Sequence, residues 1–260
     1  MRLPAIVLAS LVAAALAAPW LAPYPQDRIE LSARRAAPSA AHPFGTDELG
    51  RDVLSRVLHG ARVSLAVGLL SAIIAGATGT AIGGVAGYAG GPIDAVLMRI
   101  TDGVLAVPRL PLLMIVAVVL RPSVAMLILL IGLAGWMETA RVVRAEFTAL
   151  AGLGFVESAR AAGAGPLRVV TRHLLPNAAQ AVAVSVTLAV ARGILLESAL
   201  SFFGVGVQPP QASWGNMLYQ AQAQLGSEPW LALAPGVFIL MATLSVNTIG
   251  DRLASQAGRR

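Results

Sequence analysis

The chain has 260 residues, 57% of them hydrophobic and only 12% charged, and its formal net charge is +6. A soluble domain of this length could not bury so much apolar surface, whereas a lipid bilayer solvates it. The absence of cysteine excludes disulfides and thiolate metal sites. All nineteen basic residues are arginine, which excludes a Walker-type phosphate loop and Schiff-base chemistry, because both require lysine. The arginines lie at the edges of apolar runs rather than in a cluster, so no nucleic-acid partner is expected.

Six apolar runs are long enough to cross a bilayer as helices, since a span needs about 20 residues. They cover residues 3–22, 63–88, 95–120, 123–142, 178–203 and 230–250. We therefore expect an all-α membrane protein. The first run is either an N-terminal transmembrane helix over residues 1–22 or a secretory signal peptide. An external loop over residues 23–61 and the main membrane domain over residues 62–255 are expected to follow.

Residues after Trp20 are expected on the outer side of the membrane, and an even number of spans then returns both termini to the cytoplasm. Ten arginines, including Arg259 and Arg260, then face the cytoplasm, and seven, including Arg121, face the outside. This small excess supports the orientation only weakly under the positive-inside rule.

Two outer segments carry local structural signals. Thr46 is a suitable helix N-cap and is followed by two acidic residues, which predicts an amphipathic helix at the membrane interface. His42 and His59 lie nearby, but no third ligand accompanies them, so no metal site is expected. Residues 204–230 contain glycine and proline at positions that should break any helix.

The second apolar run carries small residues at four-residue spacing, which allow two helix backbones to approach closely. These residues are Ala75, Gly79, Gly83 and Gly87. The stripe predicts tight helix packing, either within this chain or against another subunit.

Charged residues within the apolar runs indicate sites of special importance. Arg109 stands between Pro108 and Pro111, which should kink the third span near the middle of the bilayer. Its guanidinium either faces a partner or water-filled path, or pairs with an acidic residue of this chain. Arg192 and Glu197 lie on different faces of one helix, so each is expected to meet a group from elsewhere.

A basic stretch over residues 156–177 separates two apolar runs. Gly163, Gly165 and Pro166 divide it into two short helices, one from Glu157 and one from Leu167 to Leu175. Pro166 suits the first turn of the second helix, where its missing N–H has no cost. The stretch either anchors the flanking helices by positive charge or docks a soluble partner.

This stretch resembles the cytoplasmic signature of bacterial ABC importer permeases, which is Glu-Ala-Ala, three residues, glycine, and a fixed gap to Leu-Pro. The matching positions are Glu157, Ser158, Ala159, Gly163, Leu175 and Pro176. Ser158 replaces the usual alanine and is also small. Residues 42–65 and 197–218 are similar to further blocks of the dipeptide/oligopeptide/nickel family. The chain is thus identified as a member of that family, as its second permease subunit, from about residue 20 onward.

The resemblance implies a type I ABC importer permease fold in a bacterial inner membrane, with a coupling segment over residues 155–177. It implies a second homologous permease, two ATPase subunits that use ATP and Mg²⁺, and an extracytoplasmic solute-binding protein. This chain itself would bind no cofactor and hydrolyse no ATP. The expected coupling residues are Glu157, Ser158, Ala159, Gly163, Arg172, His173 and Pro176. Pro176 would set the start of the fifth span.

Cargo and energy source leave alternatives. Di- or oligopeptides are the expected cargo and a nickel chelate is the alternative, with Arg109 lining the path and meeting a substrate carboxylate. A secondary transporter driven by an ion gradient would need coupling groups in repeated halves, and no internal repeat is visible. A membrane scaffold without transport would leave Arg109 unexplained.

Overall fold

The computed structural model describes residues 2–120 and 123–257, and within these ranges the chain contains helices and no β-strand. Arg121, Arg259 and Arg260, which entered the comparison of inner and outer charge, lie outside the described residues. The α-helices of the described ranges are α1 (Arg2–Leu16), α2 (Ala18–Leu21), α3 (Val53–Ala89), α4 (Gly91–Leu105), α5 (Arg109–Leu120), α6 (Val124–Leu133), α7 (Trp136–Ala151), α8 (Gly154–Ala161), α9 (Pro166–Val169), α10 (Leu175–Phe202), α11 (Trp214–Ala221) and α12 (Trp230–Ala257).

Fewer helices than expected have the length and hydropathy of a complete span. Among the described residues there are four, namely Val53–Ala89, Val124–Ala151, Pro166–Phe202 and Trp230–Gln256. A fifth is present if α4 and α5 together form one broken span. Helix α1 has 15 residues and is therefore shorter than the bilayer core requires. The all-α membrane fold is confirmed, and the sixth expected span corresponds to this short helix.

Helix α1 is part of the folded core. Leu11 and Ala15 are buried in one apolar cluster with Ile239 and Ala242 of α12. This packing favours a membrane helix that stays with the protein over a signal peptide that is removed.

Helix α3 is the central element, with 37 residues and its most extensive packing against α7. A Cβ atom on Gly83 would overlap the backbone carbonyl of Ala140, and one on Gly87 would lie 2.6 Å from the carbonyl oxygen of Arg144. The small-residue stripe therefore packs within this chain, which was one of its two expected uses.

The outer end of α3 differs from the predicted amphipathic helix. The helix begins at Val53, and its N-cap is Asp52, whose carboxylate accepts from the backbone N–H of Ser55 at 2.7 Å. Gly50 has φ +74°, so the chain turns just before the helix. Thr46 is buried and bonds to the carbonyl of Ala33 instead of capping a helix. The expected Thr46 cap was wrong, and the first turns of α3 continue directly into its membrane span.

The histidines of this region have partners within the chain. His42 Nδ1 lies 2.9 Å from the Asp52 carboxylate, and His59 Nδ1 lies 2.9 Å from the Ser55 carbonyl oxygen. Both rings are therefore explained by local hydrogen bonds.

The outer segment before the last span contains a helix, so the expectation that glycine and proline would break any helix there was wrong. Helix α11 has a capping box, in which Ser213 accepts from the backbone of Asn216 and the Asn216 side chain accepts from Ser213. This reciprocal bonding satisfies two free N–H groups at the helix start. Trp214 is fully buried beside α3, where its indole N–H donates to the Val57 carbonyl.

The third apolar run is broken rather than merely kinked. Helices α4 and α5 meet at an angle of 80°. Arg109 is the first residue of α5, directly after Pro108, which is consistent with the way proline ends helices. Helix α4 buries little of its surface and is held to α7 by two ion pairs, Asp94 with Arg144 and Asp102 with Arg141.

Candidate functional site

The basic stretch forms a helix, a turn and a second helix, as predicted, with different ends. Helix α8 begins at Gly154 rather than Glu157. Helix α9 begins at Pro166, which occupies the first turn as expected. It then passes through a π-helical turn over Val170–Leu174 directly into α10. The helical chain is consequently continuous over Pro166–Phe202.

Pro176 explains the π-helical turn. It lacks an N–H, and in a regular α-helix its ring would press on the carbonyl of Arg172 four residues earlier. The Leu175 N–H instead donates to the Val170 carbonyl, five residues back. Pro176 is thus the second residue of α10, at a change from π to α geometry, whereas the helical chain itself begins at Pro166.

One face of this stretch is anchored in the protein. Its buried apolar side chains pack with Val143 and Phe147 of α7 in one cluster. These side chains are Val156, Val169, Leu174 and Ala178. Because α8 and the start of α10 share this cluster with α7, they should move together with the membrane helices.

The opposite face is open to solvent. Glu157, Ser158 and Arg172 are exposed, and Ala159 and His173 are partly exposed. Within the part of the chain that the structure describes, no ion pair is formed by Glu157. All seven predicted coupling residues are exposed or partly exposed. Three lie on α8, Gly163 lies in the turn after it, and the rest lie in the π-helical turn or at the start of α10.

Gly163 ends α8 in a Schellman motif. Its N–H donates to the Arg160 carbonyl at 2.9 Å, and the Ala164 N–H donates to the Ala159 carbonyl at 3.0 Å. Gly163 has φ +82°, a conformation that residues with a Cβ rarely adopt. No atom lies within 4 Å of the position that a Cβ would occupy. The glycine is thus required by the turn, and the space beside it is open.

A shallow cavity of about 530 Å³ borders the same turn. It is lined by Gly163, Gly165, Pro166, Leu167, Arg168, Thr171 and Arg172. Leu167 is 76% exposed and borders this cavity together with Arg168 and Arg172. Sequence analysis did not single out Leu167, although its place beside Pro166 in a polar stretch was a signal.

A second feature lies within the membrane domain, where α5 and α10 border a cavity of about 710 Å³. Among the described residues that line it, only Arg109 and Arg192 are polar. The Arg109 guanidinium pairs with the Glu138 carboxylate at 2.5 Å. Arg109 was expected either to face a path or to pair with an acidic residue of this chain. In the structure it borders a cavity and also forms an ion pair with Glu138.

Residues 79–260 match the family model described as "Binding-protein-dependent transport system inner membrane component". The chain belongs to this family. The permease is 38% identical over 248 residues to the dipeptide transport system permease protein DppC of Bacillus subtilis (strain 168), covering 95% of this chain and 78% of that protein. It is 40% identical over 250 residues to a putative peptide permease protein of Brucella suis biovar 1 (strain 1330), covering 95% and 83%.

The fold of the permease is also found in a solved structure. It is similar to a chain of the MetNI methionine ABC transporter in inward-facing conformations, with a TM-score of 0.64 and 19% identity. The match covers 78% of the permease and 97% of that chain. The fold is thus that of a type I ABC importer permease. The protein is the membrane-spanning subunit of an importer that works with ATPase and binding-protein subunits.

Glu197 of the permease is fully buried and joins α10 to α3. Its carboxylate accepts hydrogen bonds from the hydroxyls of Ser64 and Ser201, both at 2.8 Å. Ser64 also accepts from the backbone N–H of Trp214, and Ser201 accepts from that of Val207. The expectation that Glu197 meets a group from another helix is confirmed. Glu197 thereby fixes the outer segment to the membrane helices. This role could not be predicted from the sequence, because Ser64 and Ser201 have no local signal that marks them as its partners.

Proposed function

We propose that this permease carries di- or oligopeptides into a bacterial cell. The supporting observation is its identity of 38–40%, over 95% of its length, to a dipeptide permease and a putative peptide permease. The 710 Å³ cavity is within the range of small-molecule sites and is large enough for a dipeptide. A nickel chelate is the less favoured cargo, because neither relative is named for nickel.

We further propose that the coupling segment over residues 155–177 docks into an ATPase subunit. Its exposed residues, which include Glu157, Ser158, Leu167 and Arg172, supply charged and apolar side chains to such a partner. In the complete transporter we expect a second homologous permease, two ATPase subunits and an external solute-binding protein. The ATPases would bind ATP and Mg²⁺, since this chain has no lysine for a phosphate loop.

The proposed docking defines the orientation. With the coupling segment in the cytoplasm, α10 runs outward, α11 lies outside, and α12 returns inward. Following the chain in the other direction through α7, the broken span, α3 and α1 brings the N-terminus inside as well. Both termini are therefore proposed to be cytoplasmic, in an inner membrane.

The geometry supports a rigid-body mechanism. The helical chain from Pro166 to Phe202 has 37 residues, about 55 Å at a rise of 1.5 Å per residue. It joins the docking surface to Arg192 beside the cavity and to Glu197 beneath the outer segment. Closure of the ATPases would thus move one continuous helix. It would also move α7, because Val156 and Phe147 belong to one buried cluster. Such movement switches the bundle between two arrangements without any chemistry by this chain.

Orientation and docking can be tested with single cysteines, because the chain has none of its own. Ser158→Cys and Ala40→Cys are both at exposed positions. In intact spheroplasts, a membrane-impermeant maleimide should label Ala40→Cys and should label Ser158→Cys only after permeabilisation. Ser158→Cys alone should crosslink to the ATPase subunit. Labelling of Ser158→Cys from outside would reject the orientation.

Cargo and energy source need an uptake measurement. The complete transporter in proteoliposomes should accumulate a labelled dipeptide when ATP is present on the ATPase side, and the uptake should persist with an uncoupler. Nickel uptake in its place would support the alternative cargo. Dipeptide uptake that an uncoupler abolishes while ATP remains would reject the ABC mechanism in favour of a secondary transporter.

A further inference from the structure

Among the residues that the structure describes, none forms an ion pair with Arg192 inside the membrane domain. Arg192 lies near the middle of the apolar run 178–203, within about 3 Å of the midpoint along the helix axis at 1.5 Å per residue. Within residues 2–120 and 123–257, the Arg192 guanidinium forms no ion pair or hydrogen bond with another side chain or with the backbone. A guanidinium at this depth is costly and is normally compensated by an anion or a water-filled path.

The neighbouring charges do not compensate it. Arg109 borders the same cavity, but its guanidinium is already bound to Oε1 of Glu138. The two arginines and one glutamate leave a net charge of +1 at the cavity. The other Glu138 oxygen is buried without a hydrogen-bond partner in the described chain, so it does not neutralise Arg192. Among the described residues, the cavity therefore offers Arg192 no carboxylate as a partner.

The cavity is placed where a substrate would pass. It is bordered by the break between α4 and α5, and interrupted helices at membrane depth occur where the backbone lines a cavity. Val107, Leu133 and Leu195 of its lining are all at least 45% exposed, so the cavity opens at the surface of this subunit. An apolar cavity in which one guanidinium has no partner among the described residues suits a small molecule that has an apolar part and one anionic group.

We propose that Arg192 binds the terminal carboxylate of a peptide as it crosses the membrane, an inference that rests on the proposed peptide cargo. Guanidinium and carboxylate form two parallel hydrogen bonds, which adds orientation to attraction. Arg109 has the supporting role, because its pairing with Glu138 holds α5 to α7 at the cavity wall. The substrate contact expected for Arg109, which also lines the cavity, stays a prediction.

The test uses the complete transporter in proteoliposomes with saturating binding protein. A dipeptide is compared with the same dipeptide as its C-terminal amide. The pair is chosen so that the purified binding protein binds both. ATP-dependent maximal uptake is measured for wild type, Arg192→Gln and Arg192→Lys. Arg62→Gln is the matched control, since Arg62 is exposed on α3 away from the cavity. The ratio of variant to wild type is formed for each substrate, which cancels the preference of the binding protein itself.

Arg192→Gln should lower dipeptide uptake about 10-fold or more, the size of one hydrogen-bonded charge contact. The same substitution should change the maximal uptake of the amide, relative to wild type, by less than about twofold. Arg192→Lys should be intermediate for the dipeptide, and Arg62→Gln should match wild type on both substrates. Copurification of all subunits is measured for each variant.

Equal losses on both substrates, wild-type uptake by Arg192→Gln, or loss of subunit assembly would each overturn the proposal. Loss of assembly would show that the counter-charge of Arg192 comes from another subunit. If wild type takes up neither peptide, the proposed peptide function fails as well. Wild-type uptake of both peptides with equal losses in the variant rejects only the role of Arg192.

Discussion

Gly163→Asp gives a direct test of energy transfer through the coupling segment. The substitution places a charged side chain on the turn between α8 and α9, at a point where a Cβ has no neighbour within 4 Å. No steric clash within the chain is therefore expected. The remaining cost is the backbone conformation at φ +82°, about 1–2 kcal/mol for a residue with a Cβ and less for aspartate or asparagine.

This cost is small compared with the stability of a folded domain, which is typically about 5–15 kcal/mol. The Schellman hydrogen bonds are formed by backbone groups, so they persist in the variant. Gly163→Asp should accordingly reach the membrane in normal amounts and abolish transport, because the new carboxylate lies on the surface proposed to contact the ATPase. Gly163→Asn, of equal size and similar backbone cost, should retain more transport if charge is the main cause.

Membrane abundance by quantitative immunoblot, copurification with the ATPase and ATP-dependent uptake together decide the result. Gly204→Asp is the control for strain, since Gly204 ends α10 with the same Schellman hydrogen bonds, has φ +79°, and would place a Cβ no closer than 3.5 Å to any neighbour. It lies outside the coupling segment, and Gly204→Asp should retain transport. Normal uptake by Gly163→Asp, or disappearance of the protein itself, would refute the docking argument.

Three further predictions concern the stability of the detergent-solubilised protein, measured by thermal unfolding. Gly83→Leu should lower the free energy of unfolding by about 3 kcal/mol or more, because the leucine side chain separates α3 from α7. Gly103→Leu, whose side chain enters open space, should have little effect, and equal effects of the two substitutions would contradict this packing. Glu197→Ala should cost about 1–3 kcal/mol because Ser64 loses its acceptor, and Glu197→Gln should cost less. Asp52→Ala should cost about 1 kcal/mol by removing the α3 cap, and Asp52→Asn should retain most of it; identical losses would rule out a capping role.

Several features of the coupling segment could be predicted because they depend on local backbone chemistry. A glycine in a polar stretch predicted the end of α8, and Pro166 predicted the start of the next helix. Local rules failed where a nearby residue had a stronger effect. Thr46 has a side chain suited to an N-cap, but the chain turns at Gly50, and Asp52 is the N-cap of α3 instead.

The pairing of charges could not be predicted, because it depends on which helices become neighbours. The composition suggested that Arg109 and Glu197 needed partners, but nothing local indicated Glu138 or Ser64. The same holds for Arg192, whose lack of a partner in the described chain is visible only when the surrounding helices are in place.

By itself, the sequence determined that the protein lies in a membrane, that its polar coupling stretch is exposed, and that it lacks a lysine for nucleotide binding. These properties follow from composition and from short-range patterns, which remain the same in any arrangement of the helices. Tertiary structure alone decided that the glycine stripe packs inside the chain and that the third span is bent by 80° at its break. It also decided that Arg109 pairs with Glu138, whereas Arg192 has no such pair among the described residues. Each of these depends on contacts between distant segments, and such contacts exist only after the helices have packed.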